Sequence, residues 1–382
     1  MMQQGLFTAE RNSRPEKIDV AYLLLMVLMT GLGFVALYTG SMAYAERLFD
    51  DQLYFVRRQG LTLAVGIVAS ILCATVRLSF IRKILPQFVV LTLILSLLPF
   101  IPGIGVTKNG ASRWIYFASF TFQPSELMKL TVVLFLANLF DKKHDRLDEP
   151  EVSVYPATIM SFIMIALVYL QNDFSTALFI MIIVLIMFFI AGVKLHWFAK
   201  LCFLTVPFVA LMVLTEEYRV ERILSFIDPK KDPLGAGYQV NAALTALREG
   251  DFWGRGLGNG IRKLSSIPEV QSDFIFAVWA EEMGFFGVLI YFGILLFFSI
   301  RGYRIAVRSR DRFGAFLSFG CTTIILLQSL MNCGVVVRVF PVTGVPLPFF
   351  SSGGSSLLIT LCLCGLVINV SRGKIGEDAD YV

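Results

Sequence analysis

Asp273 stands where a polar stretch gives way to an apolar one, in the run Ile267-Pro268-Glu269-Val270-Gln271-Ser272-Asp273-Phe274-Ile275-Phe276-Ala277. A charged side chain is costly to hold at the edge of hydrocarbon, which makes it a functional candidate by default. An acid at a membrane boundary, fed by a large folded loop, is placed for chemistry on a lipid-borne substrate. The plainer reading is that Ser272 or Asp273 caps the helix that follows. Other ionisable groups share this setting. Glu126 and Lys129, in Phe122-Gln123-Pro124-Ser125-Glu126-Leu127-Met128-Lys129-Leu130, are three residues apart and share a helix face. They form either a structural ion pair or a cation held for an anionic head group. Arg113 and Trp114 lie just upstream; the bland role for Trp114 is an aromatic belt residue. Asp173 lies in a tight turn, where capping the next helix is its plain role. Glu281 and Glu282 fall inside an apolar run, where acids rarely face lipid.

Several other chemistries find no support. Gly254-Arg255-Gly256-Leu257-Gly258-Asn259-Gly260 imitates a dinucleotide fingerprint, but the strand and βαβ unit that such a site needs are missing from the pattern. These glycines read as turn formers in a flexible stretch, with backbone N–H groups able to hold a phosphate oxygen. Ser351-Ser352-Gly353-Gly354-Ser355-Ser356 contains no GxSxG, so small residues for close helix approach are the better reading. Six cysteines fall almost wholly in apolar runs without metal-ligand spacing, and read as small core residues. Only His144 and His196 are present, both near the cytoplasmic side, which leaves histidine catalysis on the outer face without a candidate.

Hydrophobic residues make up 56% of the 382-residue chain and charged residues 16%, against about 45–50% and 25% in soluble domains. The excess falls into ten blocks of bilayer-spanning length, near 19–40, 60–76, 84–101, 121–140, 152–170, 174–191, 196–215, 273–300, 313–335 and 352–371. The expected fold is all-α, a polytopic bundle of about ten transmembrane helices. Tails of 1–18 and 372–382 flank a membrane domain of 19–371. Basic residues mark alternate connections: Arg11, Arg14 and Lys17; Arg77, Arg82 and Lys83; Lys142, Lys143 and Arg146; Lys194; Arg301, Arg304, Arg308, Arg310 and Arg312; Arg372 and Lys374. That positive-inside pattern puts both termini in the cytoplasm. The net charge of +5 is therefore membrane topology and not a nucleic-acid footprint. No cleaved signal peptide is expected, since the first apolar run is too long for a signal core.

One outer loop, about 216–272 between the seventh and eighth spans, is too long for a connector. It carries eight basic and eight acidic side chains and many apolar anchors, so it is expected to fold. Residues 237–248 read as an amphipathic helix at the interface. Two further outer loops, Pro102 to Phe120 and Gly334 to Ser352, are polar and rich in Gly and Pro. The three together can roof a cavity that opens outward.

The motifs resemble those of the SEDS family (shape, elongation, division and sporulation), the RodA and FtsW group. The resemblance rests on Asn109-Gly110-Ala111-Ser112-Arg113-Trp114, the segment from Phe122 to Leu130, Gln171-Asn172-Asp173-Phe174-Ser175-Thr176-Ala177, the runs Asp228 to Gln239 and Ile267 to Gly284, and Pro341 to Phe349 followed by Gly353-Gly354-Ser355-Ser356. They run in order over nearly the whole chain. The Tyr218-Arg219 to Gln239 segment and Gly256-Leu257-Gly258 with Lys263 look closer to FtsW, while Pro341-Val342-Thr343-Gly344 is shared with, or closer to, RodA; the balance leans to FtsW. Ser112, Asn172 and Ser352 depart from the family pattern.

The resemblance implies a glycosyltransferase of the cytoplasmic membrane that polymerises lipid II on its outer face. The implied partner is a class B penicillin-binding protein, with other divisome or elongasome membrane proteins. It matches Asp273 to the family's essential carboxylate. The acceptor's GlcNAc 4-hydroxyl would attack the anomeric carbon of the donor MurNAc. An α-linked donor giving a β-linked polymer is inversion, so one base suffices, and Asp273 is that base. The departing lipid pyrophosphate needs cations or a divalent metal, magnesium or manganese, near it. The candidates are Arg113, Lys129, Arg219, Lys263 and Arg338, with Glu126 and Glu282 to orient them. A lipid II flippase or a noncatalytic scaffold is the competing expectation; the concentration of long loops on one face favours the enzyme.

Overall fold

The computed structural model describes residues 17–108, 111–117, 120–227, 236–260 and 270–373. Lys263 lies outside the described residues, as do most of both expected tails. The helices are α1 (Val20–Phe49), α2 (Tyr54–Thr75), α3 (Leu78–Leu97), α4 (Pro124–Lys142), α5 (Val154–Leu170), α6 (Phe174–Ala191), α7 (Leu195–Leu214), α8 (Glu217–Ile227), α9 (Ala236–Gly250), α10 (Ile275–Arg308), α11 (Arg312–Val336) and α12 (Gly354–Arg372). A helix stands at each of the ten apolar segments. Among the described residues, eight helices are long and apolar enough to cross a membrane. The remaining two are α5, with 17 residues, and α4, which carries Glu126 and Lys129 in its first turns.

Local chemistry explains several boundaries. The Asp19 side chain accepts a hydrogen bond from the Tyr22 amide at 2.9 Å and caps α1. Asp173 caps α6 through the Thr176 amide, as expected. Pro124 opens α4, where its missing N–H costs nothing. Burial separates inner from outer helices: 83% of the apolar window of α12 and 78% of that of α11 is enclosed, against 6% for α7. The core includes Phe140, Phe188 and Phe316, stacked edge to face between α4, α6 and α11. α2 and α12 approach closely where Gly365 meets the backbone of Ser70 and Gly354 meets Thr62. The cysteines are free; Cys321, Cys333, Cys362 and Cys364 are buried in this core and Cys73 and Cys202 half-buried.

The loop after α3 is not irregular. It holds three short antiparallel strands, β1 (Gly105–Lys108), β2 (Ala111–Phe117) and β3 (Phe120–Phe122), in the order β1-β2-β3. The Gly and Pro content of this stretch pointed to a loop. The β-branched and aromatic run Ile115, Tyr116, Phe117, Phe120, Thr121, Phe122 prevailed, because such side chains suit a pleated, half-buried surface.

The long connection between α7 and α10 holds α8 and α9, so the expected helix at 237–248 is present. α9 buries Val240, Ala242, Ala243 and Ala246 and packs on α10. α10 is broken at Gly284, which has φ 64° and ψ −169°, a region open essentially only to glycine. The break frees backbone groups that must find partners. Residues 251–256 supply them. Arg255 N–H donates to the Glu281 carbonyl at 3.0 Å and Gly256 N–H to that of Glu282 at 2.9 Å. Phe285 N–H donates to the Asp251 carbonyl at 2.9 Å and Phe286 N–H to that of Phe252 at 3.0 Å. A Cβ at Gly284 would stand 2.6 Å from the Phe252 carbonyl oxygen. The glycines are turn formers, as expected, with positive φ at Gly254, Gly256 and Gly258; the N–H groups of Arg255 and Gly256, which could have held a phosphate oxygen, are instead taken by the broken helix.

Candidate active site

A cavity of about 800 Å³ opens among β2, the starts of α2 and α12, the residues just before α10, and the segment between α11 and α12. Asp273 lines it, together with Glu216, Arg58, Arg113 and Arg222. Three guanidinium groups thus face two carboxylates in one concave space. The first turn of α12 also borders it, through Gly353, Gly354, Ser355 and Ser356. No side chain caps that helix, so its N-terminal amides and the positive end of its dipole favour an anion there.

The cap position of α10 is Phe274, one residue after Asp273. The backbone around Asp273 is fixed. Asn332 of α11 donates through Nδ2 to the Asp273 carbonyl at 2.9 Å and to the Val345 carbonyl at 2.9 Å. Ser352 N–H donates to the Gln271 carbonyl at 2.7 Å, and Ser351 Oγ donates to the Ser272 carbonyl. The carboxylate is half-buried, with Gly344 close against it. It is a carboxylate on a fixed backbone at the wall of a polar cavity.

Arg113 projects from β2 into the same space. Its guanidinium donates to the Asn172 carbonyl and lies 3.8 Å from Asp173 Oδ1. Asp173 is 2% exposed and also accepts from Gln123 and Ser125, each at 2.9 Å. The carboxylate therefore orients Arg113 besides capping α6. Asn172 takes φ 59°, a left-handed conformation that Asn tolerates and proline cannot enter.

Similarity to known proteins follows the same outline. The family model for FtsW, RodA and SpoVE, described as a cell cycle protein, matches residues 19–375. The chain belongs to this family. It is 37% identical to a probable peptidoglycan glycosyltransferase FtsW of Geobacter sp. (strain M18), over 95% of this chain and 99% of that one. It is 35% identical to stage V sporulation protein E of Bacillus subtilis (strain 168), over 93% and 97% of the two chains. Its fold matches a chain of a solved peptidoglycan synthase complex, studied for the coordination of polymerization and crosslinking. That match has a TM-score of 0.76 and 28% identity, over 93% of this chain and 98% of that one. The crystal structure of Thermus thermophilus RodA shares the fold with a TM-score of 0.68 and 24% identity, over 94% and 98% of the chains. The chain is thus a multi-pass membrane protein of the SEDS type.

Among the described residues, Asp273 and Arg113 are the two site candidates from the sequence that line the cavity. Lys129 and Glu126 do not. They are each 3% exposed and paired at 2.7 Å. Lys129 Nζ also donates to Gln328 Oε1 at 2.7 Å, and Gln328 Nε2 donates to the Pro346 carbonyl at 2.9 Å. The pair therefore braces the segment that borders Asp273. Arg219 is buried against Tyr169 and Phe174 and donates to the Met212 carbonyl at 2.6 Å. Arg338 donates to the Phe226 carbonyl at 3.0 Å. Glu282 is buried in α10 beneath the inserted glycine turn, apart from the cavity lining. Trp114, whose plain reading was an aromatic belt residue, borders the cavity.

Arg58, Arg222, Gln328 and Asn332 were missed. Arg58 sits on the side where positive-inside counting expects few basic residues, and that exception was its signal. Gln328 and Asn332 are four residues apart in an apolar helix, hence on one face; paired polar groups at that depth are a pointer in themselves. Arg222 carried no signal that separates it from the other charges of its loop.

Proposed function

We propose that the chain is a peptidoglycan glycosyltransferase that polymerises lipid II, with Asp273 as general base. The observation that carries this reading is the half-buried Asp273 on the wall of a cavity that also presents Arg58, Arg113 and Arg222. Asp273 takes the proton from the acceptor 4-hydroxyl as that oxygen attacks the donor's anomeric carbon. The bond to the pyrophosphate oxygen breaks in the same displacement, with inversion. Charge develops on the leaving pyrophosphate, where the three arginines and the uncapped end of α12 offset it. Asn332 holds the backbone of the base in place.

Among the described residues no three His, Cys, Asp or Glu side chains gather into a metal-holding group. That donor set fits a magnesium or manganese ion only in the mode that uses one or two carboxylates plus substrate phosphates. Among the described residues, Asp273 and Glu216 are the carboxylates lining the cavity that would hold such an ion, and the ion would supply charge neutralisation at the pyrophosphate. Lys129, Glu126, Arg219, Arg338 and Glu282 act in this account by positioning, not by touching substrate.

The basic connections favour the cytoplasmic membrane, with both termini inside and the cavity outward. The FtsW names among similar relatives favour a role in division over elongation. The neighbouring synthase complex supports a class B penicillin-binding protein as partner. The test uses purified full chain with its cognate penicillin-binding protein, transpeptidase blocked by a β-lactam, and labelled lipid II. Glycan polymer is expected. Translocation of lipid II across vesicles without polymer, over a range of partners and divalent ions, would instead make the chain a flippase.

A further inference from the structure

A second cavity, of about 380 Å³, lies at the other end of α10, between the start of α1 and the end of α12. Arg301, Arg304 and Arg308 line it. Their spacing of three and four residues puts them on one helix face. Lys17 lines it as well. Against these four cations stands one carboxylate among the described lining residues, Asp19. Asp19 is already engaged: it caps α1 and lies 3.4 Å from Arg301 Nη2, while its backbone N–H donates to Ser371 Oγ at 3.3 Å. Arg301 Nε is buried and has no partner among the described residues. A buried guanidinium N–H without an acceptor is expensive, so an anion with several oxygens entering this cavity would gain by meeting it.

The remaining wall is apolar, with Ile18, Val20 and Ile305. Ile18, Val20 and Leu24 are 41%, 59% and 62% exposed, and continue from the cavity along α1 toward the bilayer. A positive-inside bias alone scatters cations over a surface; here they enclose a space that opens onto an apolar rail. We propose that this cavity binds the phosphate of an anionic glycerophospholipid, with its acyl chain along Val20 and Leu24. Guanidinium groups suit phosphate oxygens because they donate in pairs. A free phosphate would gain nothing from the rail. The site is independent of the lipid II reading, being at the opposite end of α10 from Asp273.

The test titrates detergent-solubilised full-length protein with dioleoylphosphatidylglycerol, dioleoylphosphatidylcholine and inorganic phosphate, and reads retained lipid by native mass spectrometry. Arg304 and Arg308 are exposed, so Arg304→Gln/Arg308→Gln keeps the fold, which thermal unfolding verifies. Phosphatidylglycerol is expected to be retained over phosphatidylcholine. The Gln pair should weaken that retention roughly 25-fold, at about fivefold per surface charge, and Arg304→Lys/Arg308→Lys should keep most of it. Equal retention of the two lipids, or no effect of the Gln pair, overturns the proposal. Displacement of phosphatidylglycerol by inorganic phosphate at matched concentration assigns the cavity to a free anion and also overturns it.

Discussion

Asp273 and the Lys129–Glu126 pair are ionisable groups in one bundle, yet their surroundings give them different work. Asp273 is half-buried and meets an 800 Å³ polar space with three arginines. Lys129 and Glu126 meet each other, Gln328 and the ring of Phe179. One charge is mounted to act on something that enters. The other pair is closed within the protein and braces the segment beside the first. Both stood out in the sequence for the same reason, a charge in apolar company. What separates them is whether the space next to the charge is already filled.

The largest effect expected from this contrast is structural. Lys129→Met leaves Glu126 buried without its cation, a loss of about 3–5 kcal/mol, read as a lower thermal midpoint and less folded protein in detergent. Lys129→Met with Glu126→Leu should recover the midpoint. It should still polymerise about tenfold more slowly, because Gln328 loses its charged partner. If Lys129→Met folds as well as the native chain, the brace is not structural. Next, Asp273→Glu keeps a carboxylate but moves it by one methylene. A rate loss of about 10²-fold with an unchanged thermal midpoint is expected, since a shift of about 1 Å costs that much. A similar loss from Gln at both Glu126 and Asp273 would erase the distinction.

Arg58→Gln and Arg222→Gln should each lower kcat/KM for lipid II about tenfold, as loss of one charge-assisted hydrogen bond does, without changing stability. Arg338→Gln should leave kcat/KM within about threefold, since its guanidinium serves the Phe226 carbonyl. The smallest effect lies outside the spans. Burial, followed by the nearby Arg312, holds His144 below its usual range. The folded protein then binds fewer protons at this site than the unfolded chain. Stability from His144 is present above about pH 6.5 and falls as the pH drops below it. His144→Gln should flatten that slope in a thermal series from pH 7 to pH 5.

Much of the bundle was legible because a bilayer-length apolar run admits few structures. The ten segments each became a helix, and the acid at 273 was visible as an exception to its neighbours. The strands at 105–122 were hidden because glycine and proline around them argue for turns, while their pairing depends on contacts distant in sequence. The broken α10 was hidden for a related reason. Nothing in Met283-Gly284-Phe285 distinguishes a helical glycine from one that must take φ 64°; the partner segment 251–256 decides it. The cavity's membership was the least legible part. Arg58, Arg113, Arg222 and Asp273 come from four separate elements, and periodicity within one helix cannot report which side chains from different helices converge.

The most direct measurement is the initial rate of labelled lipid II polymerisation by the native chain and by Asp273→Asn, with the cognate penicillin-binding protein present, its transpeptidase blocked, and thermal midpoints recorded for both. Loss of the base should lower the rate by about 10²–10⁴-fold while the midpoint and partner binding stay as in the native protein. Polymer formed at the native rate by Asp273→Asn would contradict the account, and Asp273 would then be one more wall residue of the cavity.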